Sequence, residues 1–519
     1  VKMDIQPTIK EQMQKIHQHF DINFIYDSSI SLDAPTEARP DPERQTLEEC
    51  LETLFKDTDI VWEVNRKYII LKHKDKKHKP KDYTIFIEEQ RDTLSESRIT
   101  ALTDRDRNMT QTGFKKLDKK NFDMGFAVLS SPDVIKTLQQ LPGVATGTEL
   151  LSGMYVRGGD GADNLYLLDG VPLYQASHLL GLFSSFNTDV MESLDFYKSG
   201  FPARYGGRLS SIVDVKTREG DYEDYHGLFS IGLLDGRVQF EGPIIKGKTS
   251  FNIGLRRSWI DIVTEPVSLI ISKRQDRDFR IRYAFWDLNA NITHRFSEKS
   301  RLSFNLYGGR DAARFISGEG YEEYDNDTKV EMSYDNDAEM GLEWGNLVSQ
   351  INWHYGISEG HDLSFKAYFS RYSSLFSFEE EIKEGTLKDI LNSTYKYGAN
   401  RSRTSDVGLK ADFSLRAGER HHIRYGAGFQ YHIYSPDYHT DRKASDGGNV
   451  IIDQHLKEND RRQTFEPSAY IEDEITFTDR LTSNVGLRYS VILTGGRTYH
   501  SLQPRVALRF GLTDNTSLK

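Results

Sequence analysis

The fold is decided by Leu150–Gly220, LLSGMYVRGGDGADNLYLLDGVPLYQASHLLGLFSSFNTDVMESLDFYKSGFPARYGGRLSSIVDVKTREG. MYVRGGD and NLYLLDGVPLY are short apolar runs broken by Gly-Gly and Asp-Gly, which is how strands joined by tight turns are punctuated. MESLDFYKSG, FPARYGGRLSS and IVDVKTREG then read as a strand, a glycine-forced turn and a closing strand. The stretch holds no nucleophile–base–orienter set and no metal-ligand spacing, so the residues alone give a glycine-rich α/β module. Arg157 ahead of Gly158 and Gly159 is placed to pair with Asp169 or Glu192. The glycines, among them Gly170, Gly200, Gly206 and Gly207, are expected to supply turns with positive φ.

Downstream of residue 220 the pattern changes to long segments of period two. Strands read over 226–235, 236–244, 248–257, 284–296, 301–310, 346–357, 361–373, 405–416, 421–434, 466–478, 481–493 and 500–512. Short polar turns (KGK, SEKS, SEGH, AGERH, TDR, TDN) alternate with longer polar loops. In LSFKAYFSRY, Leu363, Phe365, Ala367 and Phe369 share one face, while Ser364, Lys366, Tyr368 and Ser370 share the other. Leu302, Phe304 and Leu306 repeat the pattern. Strands of this length suit a bilayer crossing at a tilt better than a soluble sandwich, and the turn asymmetry is that of an outer-membrane barrel. Trp286, Trp353, Tyr355 and Tyr372 lie near strand ends, as in interfacial girdles.

Composition agrees. The 519 residues carry a formal charge of −11 with 27 Tyr, 28 Phe and 40 Gly, which excludes a nucleic-acid binder and suits a turn-rich β protein. No apolar run approaches a transmembrane helix, and alternating barrel strands need none. The single cysteine, Cys50, forms no intrachain disulfide and reads as a buried hydrophobe beside Leu47, Leu51 and Leu54. No signal peptide is visible, which is expected of a processed form.

Residues 1–74 read as a miniature βαβ domain. VKMDIQ is a strand, and Ile9, Met13, Ile16 and Phe20 mark one face of a helix. NFIYDSS is a strand, TLEECLETLFKDT is a helix capped by Thr46 with Glu49 three residues on, and IVWEV and KYIIL form a hairpin. Residues 75–102 are a linker opened by the basic run HKDKKHKPKD.

The order of motifs resembles the plug domain of TonB-dependent outer-membrane receptors. An LPGV segment (Leu141–Val144) precedes an IRG-type strand (Tyr155–Gly159), then LxDGVP (Leu168–Pro172), then a closing block from Met191 to Thr217. The resemblance implies a plug over 103–220 and the first part of a transmembrane antiparallel β-barrel over 221–519. About 22 strands are expected of such a barrel and about 12 are present, so the chain reads as part of a longer protein. Residues 1–74, with LxxLFxxTxIxWEVxxxYIIL, resemble the secretin/TonB short N-terminal domain. That likeness implies a periplasmic contact with an anti-sigma factor. Leu94-Ser95-Glu96-Ser97-Arg98-Ile99-Thr100-Ala101 stands where a TonB box falls but lacks its run of valines. Related receptors often insert a small β-sandwich in this region, starting with a YTI strand; here Tyr83-Thr84-Ile85 passes almost directly into that segment.

By the same resemblance the chain is expected to be a transporter without covalent chemistry or cofactor, energised by TonB–ExbB–ExbD and embedded in outer-membrane lipid. Its substrate would be a ferric siderophore, haem, cobalamin or glycan. A surface lipoprotein is an optional partner for which the sequence holds no signature. Substrate contacts in the family come from plug apices and loops, which here implies Asp160, Asp163, Tyr174, His178 and Phe183. The acidic stretch Glu319–Glu343 suits a solvated loop or a hard cation. His421, His422, His432 and His439 are scattered candidates for haem or metal capture. Two other readings stay open: a signal transducer without transport, and a secreted β-rich enzyme or adhesin using carboxylates such as Glu472 and Glu474.

Overall fold

The computed structural model describes residues 7–73 (apart from 21, 28–29, 31, 33–34, 37, 43, 57 and 66–67), 83–85, 110–123, 132–146 and 154–519 (apart from 276, 326–329, 387–388 and 514–515). The segments VKMDIQ, HKDKKHKPKD after its first residue, and Leu94–Ala101 lie outside the described residues. The chain divides into two compact units between Leu102 and Thr103.

In the first unit the helices α1 (Ile9–Phe20) and α2 (Leu47–Phe55) pack on strands β1 (Asn23–Asp27), β2 (Ile60–Asn65), β3 (Tyr68–His73) and β4 (Tyr83–Ile85). The sheet order is β2-β3-β1-β4, with β1 parallel to β3. Thr46 caps α2 as its sequence requires: its hydroxyl accepts from Glu49 N, and Glu49 returns a carboxylate to Thr46 N at 2.8 Å. Cys50 is fully buried beside Leu51 and Leu54, as its helical spacing suggested. Tyr83–Ile85 lies antiparallel to β1 as the fourth strand of this sheet.

The second unit begins with the plug. Its sheet, ordered β5-β12-β13-β8-β9, contains Phe114–Asp118, Met191–Tyr197, Ser211–Thr217, Asn164–Leu168 and Val171–Pro172. Phe122, Leu138, Met154, Leu194, Phe196 and Val213 are almost entirely removed from solvent in its core. Short ribbons pair β6 (Val144–Thr146) with β7 (Met154–Val156) and β10 (Ser177–His178) with β11 (Phe183–Ser184).

Around the plug runs one antiparallel sheet of fourteen strands, thirteen on an open path from β14 to β27 and β23 off it beside β22. In order they are His226–Ile231, Asp235–Ile245, Thr249–Ser258, Asp278–Ser297, Ser300–Asp325, Val330–Ser358, His361–Thr386, Ile390–Ala417, His421–Asp446, Asn449–Asn459, Arg462–Thr478, Leu481–Thr494, Arg497–Thr513 and Thr516–Leu518. β23 only extends the tip of β22, and β27 is three residues long, so all twelve strands read from the sequence are present. The amphipathicity is inside out. Along β17, Asp287, Asn289, Asn291 and Thr293 are buried towards the plug while Trp286 and Ile292 are exposed outward. Trp353 and Tyr355 likewise face outward, but Tyr372 does not. It shares parity with Lys366, Tyr368 and Ser370 and packs inside, so it belongs to no girdle.

The strands reach far beyond the segments legible in the sequence: β18–β22 run 26 to 29 residues. Above the apolar band both faces mix polar and apolar residues, so the period-two signal fades while the backbone ladder continues. Cross-strand pairs such as Lys396–Glu380 (2.7 Å) and Arg310–Glu343 (2.5 Å) decorate it. The described part of the acidic stretch Glu319–Glu343 therefore lies in the paired strands β18 and β19. Among the described residues no group of three or more His, Cys, Asp or Glu is arranged to hold a metal. The sequence pattern also leaves 258–283 unassigned, where a helix spans Ile260–Gln275. That helix lies along the edge of β17 where β16 has ended. Thr264 donates to Ile281 O at 3.0 Å, and Ser272 both donates to and accepts from the backbone of Phe279 at 2.8 Å. Edge groups that lack a strand partner are thus satisfied by hydroxyls.

Candidate functional site

The functional geometry is the seam between plug and wall. On one flank the β10–β11 ribbon drives His178 into the wall. Its Nδ1 meets Asp311 Oδ2 at 2.6 Å, its Nε2 meets Asp287 at 3.0 Å, and its ring stacks on Phe285 with centroids 4.3 Å apart. Arg256 adds a 2.6 Å bond to Asp287 and another to Ser184 O, and Tyr283 donates to Asp311. Burial opposes a charged imidazole, but the two carboxylates outweigh it and raise the His178 pKa to about 9. At neutral pH this is a buried imidazolium between two aspartates. Nearby, Arg237 holds Asp189 at 2.9 Å, and Arg218 holds Glu241.

At the base of the plug is the Asp169-Gly170 turn, with φ of 51° and 79°. The Asp169 carboxylate accepts from Thr217 N (2.9 Å), Thr217 Oγ1 (2.7 Å) and Asn305 Nδ2 (3.0 Å). Lys366 donates to the carbonyl of Asp169, and Lys410 reaches that of Gly170 at 3.3 Å. The positive φ favours glycine at 170, where an added Cβ would stand 2.8 Å from Lys366 Nζ and displace that side chain.

The opposite flank is built differently. Arg204 pairs with Glu472, whose side chain is wholly buried, and Arg505 donates to the carbonyls of Pro202 (2.6 Å) and Tyr205 (2.7 Å). Tyr174 donates to Asp406, which also meets His432 at 2.7 Å. Between these fastenings lies a cleft of about 520 Å³. Its lining includes Tyr174 and Arg208 of the plug and Asp406, Glu466, Tyr470 and Arg488 of the wall.

The sequence-derived site residues distribute unevenly over this seam. Arg157 pairs with neither Asp169 nor Glu192. It sits at φ 49° in a tight turn with its side chain exposed beside Gly113 and Gly143, Glu192 is exposed elsewhere, and Asp169 is committed to Thr217. Gly158, Gly170, Gly200 and Gly207 do have positive φ. Gly159 and Gly206 do not: they give room for Ser210 and for the Arg488 side chain. Of the expected ligand contacts, Asp160 is exposed, and Asp163 accepts from Asp160 N at 3.1 Å. Tyr174 lines the cleft. His178 and Phe183 are closed off inside the wall, 2% and 4% exposed, because wall carboxylates and Phe285 already occupy their faces. His421, His422, His432 and His439 each have separate neighbours (Asp473, Ser414, Asp406 and Asp441) and do not converge. Glu472, weighed as a hydrolase carboxylate, is consumed by Arg204. The wall partners Asp287, Asp311, Arg256 and Arg505 escaped sequence reading. Their one signal is a charge at an inward position of an alternating strand.

Two family models match the chain: the TonB-dependent Receptor Plug Domain over residues 128–211, and the TonB dependent receptor-like beta-barrel over 270–519. Among solved structures, the siderophore receptor PirA from Acinetobacter baumannii is 9% identical, with 78% of this chain and 92% of that one covered at a TM-score of 0.30. The siderophore receptor PiuA from the same organism is 12% identical, with 79% and 63% covered and a TM-score of 0.49. The RagAB peptide transporter is 12% identical, with 78% and 58% covered and a TM-score of 0.49. No curated protein sequence matches.

Proposed function

The chain belongs to the TonB-dependent receptors in both plug and barrel, and from this premise we propose that it imports a scarce nutrient across the bacterial outer membrane. The substrate class is that of the family: a ferric siderophore, haem, cobalamin or a glycan. One observation carries the reading. The plug packs into the polar concave face of the sheet through charged pairs on both flanks, so passage requires it to move. Buried pairs of this kind hold by geometry and are costly to break one partner at a time. Work must come from outside the molecule, through TonB–ExbB–ExbD pulling on the segment before the plug, for which Leu94–Ala101 is the candidate.

The asymmetry of the seam supports a route. On the His178 flank, His178, Arg256, Asp287 and Asp311 are buried and hydrogen-bonded among themselves. On the Arg204 flank a cleft wide enough for water already separates plug from wall, so a modest displacement there opens a continuous path. The test is uptake by cells carrying the protein, with and without a functional TonB. Accumulation that disappears without TonB supports the reading, and accumulation unchanged without it overturns the energised step.

The N-terminal unit is proposed to report occupancy to a periplasmic anti-sigma factor. Its support is an independent hydrophobic core and a cap-defined helix over a four-stranded sheet, the build of a free-standing binding module. Deleting residues 1–74 is expected to abolish induction and leave uptake intact. Loss of uptake with the deletion, or induction that persists, contradicts that role.

A further inference from the structure

On the outward surface of the same strands, opposite the cleft, lies a groove that the transport seam does not use. At one level of the sheet Phe365, Ala411, Ala427, Ala469 and Tyr489 are successive cross-strand partners on β20, β21, β22, β24 and β25. Three adjacent alanines form a low floor between two aromatic ends. Phe429 and Phe465, with ring centroids 5.4 Å apart, close one long side. The hollow measures about 510 Å³, and its lining is mostly apolar side chains. It sits within the continuous sheet, since β19 and β26 flank it.

The same outward parity continues up β20 and β21 to Arg371, Arg401 and Arg403. Arg371 donates to Ser405 Oγ at 3.2 Å and lies 5.1 Å from the Phe369 ring. Asp437 is the cross-strand neighbour of Arg401, yet among the described residues none of the three arginines forms an ion pair with a carboxylate. Arg371 lies six residues above Phe365. At ~3.3 Å per residue and a tilt of about 40°, that is roughly 15 Å along the membrane normal. An arginine cluster at that height meets phosphate groups when the alanine floor is inside the hydrocarbon.

We propose that this face is a binding site for one phosphate-bearing, multiply acylated lipid of the outer leaflet, with an acyl chain in the groove and its phosphate on the arginines. The lipid is the occupant because the groove is continuous with the lipid-facing band, exposes an almost wholly apolar lining with the Tyr489 hydroxyl already bonded to His500, and is overhung by cations only where headgroups lie. The inference rests on the barrel lying in the outer membrane and is independent of what the barrel transports.

Native mass spectrometry of the full-length protein, extracted from outer membranes in mild detergent, tests it. Wild type is expected to retain one lipid adduct of phosphorylated, multiply acylated mass. Ala427→Phe fills the floor from the lipid side without touching the ladder, and Ala469→Leu does so from the next strand. Excluding even two methylenes corresponds to roughly a tenfold loss of adduct. Arg371→Gln with Arg403→Gln should lose the phosphorylated class and keep neutral-headgroup lipids. Ile292→Phe, outward on β17 and three strands from β20, is the control, and a heat-modifiable band verifies folding of each variant. Equal adducts in all variants, losses no greater than in I292F, or an adduct of protein mass would overturn the proposal. Uptake is measured in parallel, so a failed transport reading and a failed lipid site give different results.

Discussion

The plug meets its wall in two different ways. Towards β16–β18 the contact is dry: His178 is 2% exposed between Asp287 and Asp311, with Arg256, Tyr283 and Phe285 completing the shell. Towards β21–β25 the contact is a set of separate fastenings, Arg204–Glu472 and Tyr174–Asp406, spaced around a cleft. The difference fits the proposed route, with attachment on one flank and room for movement on the other. A plug fixed equally all round would have to leave as a whole, whereas one fixed on one side can swing or partly unfold on the other.

The largest expected effect comes from breaking the dry side. His178→Gln leaves Asp311 without its cation in a buried site, at ~3–5 kcal/mol, and should expose 177–186 to hydrogen exchange while the strands stay protected. Raising the pH probes the same contact. The imidazole pKa is lifted from 6.5 to about 9, so its contribution is complete below about 6.5 and is lost as pH climbs through about 9. Protection factors at 177–186, which correct for base catalysis of exchange itself, should fall across that window in wild type and not in H178Q. If the plug were fastened mainly at Arg204, these changes would be silent.

A smaller effect is expected on the cleft side. Arg204→Gln uncovers Glu472, but Arg424 remains 3.6 Å away and limits the loss to ~2–3 kcal/mol. Leakage of large antibiotics through the barrel should rise without loss of the heat-modifiable band. Smaller again is Gly170→Ala, at about 1–2 kcal/mol for the left-handed backbone. It should move the Lys366 contact and lower plug protection on both flanks alike. An effect confined to one flank would show that the Asp169-Gly170 turn is not their common base.

Much of this architecture was legible in the sequence, for definable reasons. Strand alternation survives wherever one face meets lipid and the other the plug, so Phe365 and Lys366 declare their sides without any structure. Turns that need glycine declare themselves in the same way, as Asp169-Gly170 does. The outer halves of β18–β22 were not legible, because water on both faces erases the period. Nor was the helix over Ile260–Gln275, whose hydroxyls serve the edge of β17 rather than a helical core. Pairings were least legible. Arg157 stands near Asp169 and Glu192 in the chain but not in space, while His178 finds Asp287 and Asp311 at separations of 109 and 133 residues.

The division between flanks is tested most directly by tethering each one. An added Cβ at Gly254 would stand 3.8 Å from Val190 Cβ, a good disulfide separation, and one at Gly486 would stand 2.7 Å from Ala203 Cβ, needing a small shift. Cys50 is the single native cysteine and is buried in the other unit, so V190C/G254C and A203C/G486C can be compared cleanly. The account predicts that the first tether leaves TonB-dependent uptake intact, and that the second blocks it until a reductant restores it. Uptake blocked by the first tether and unaffected by the second would contradict it.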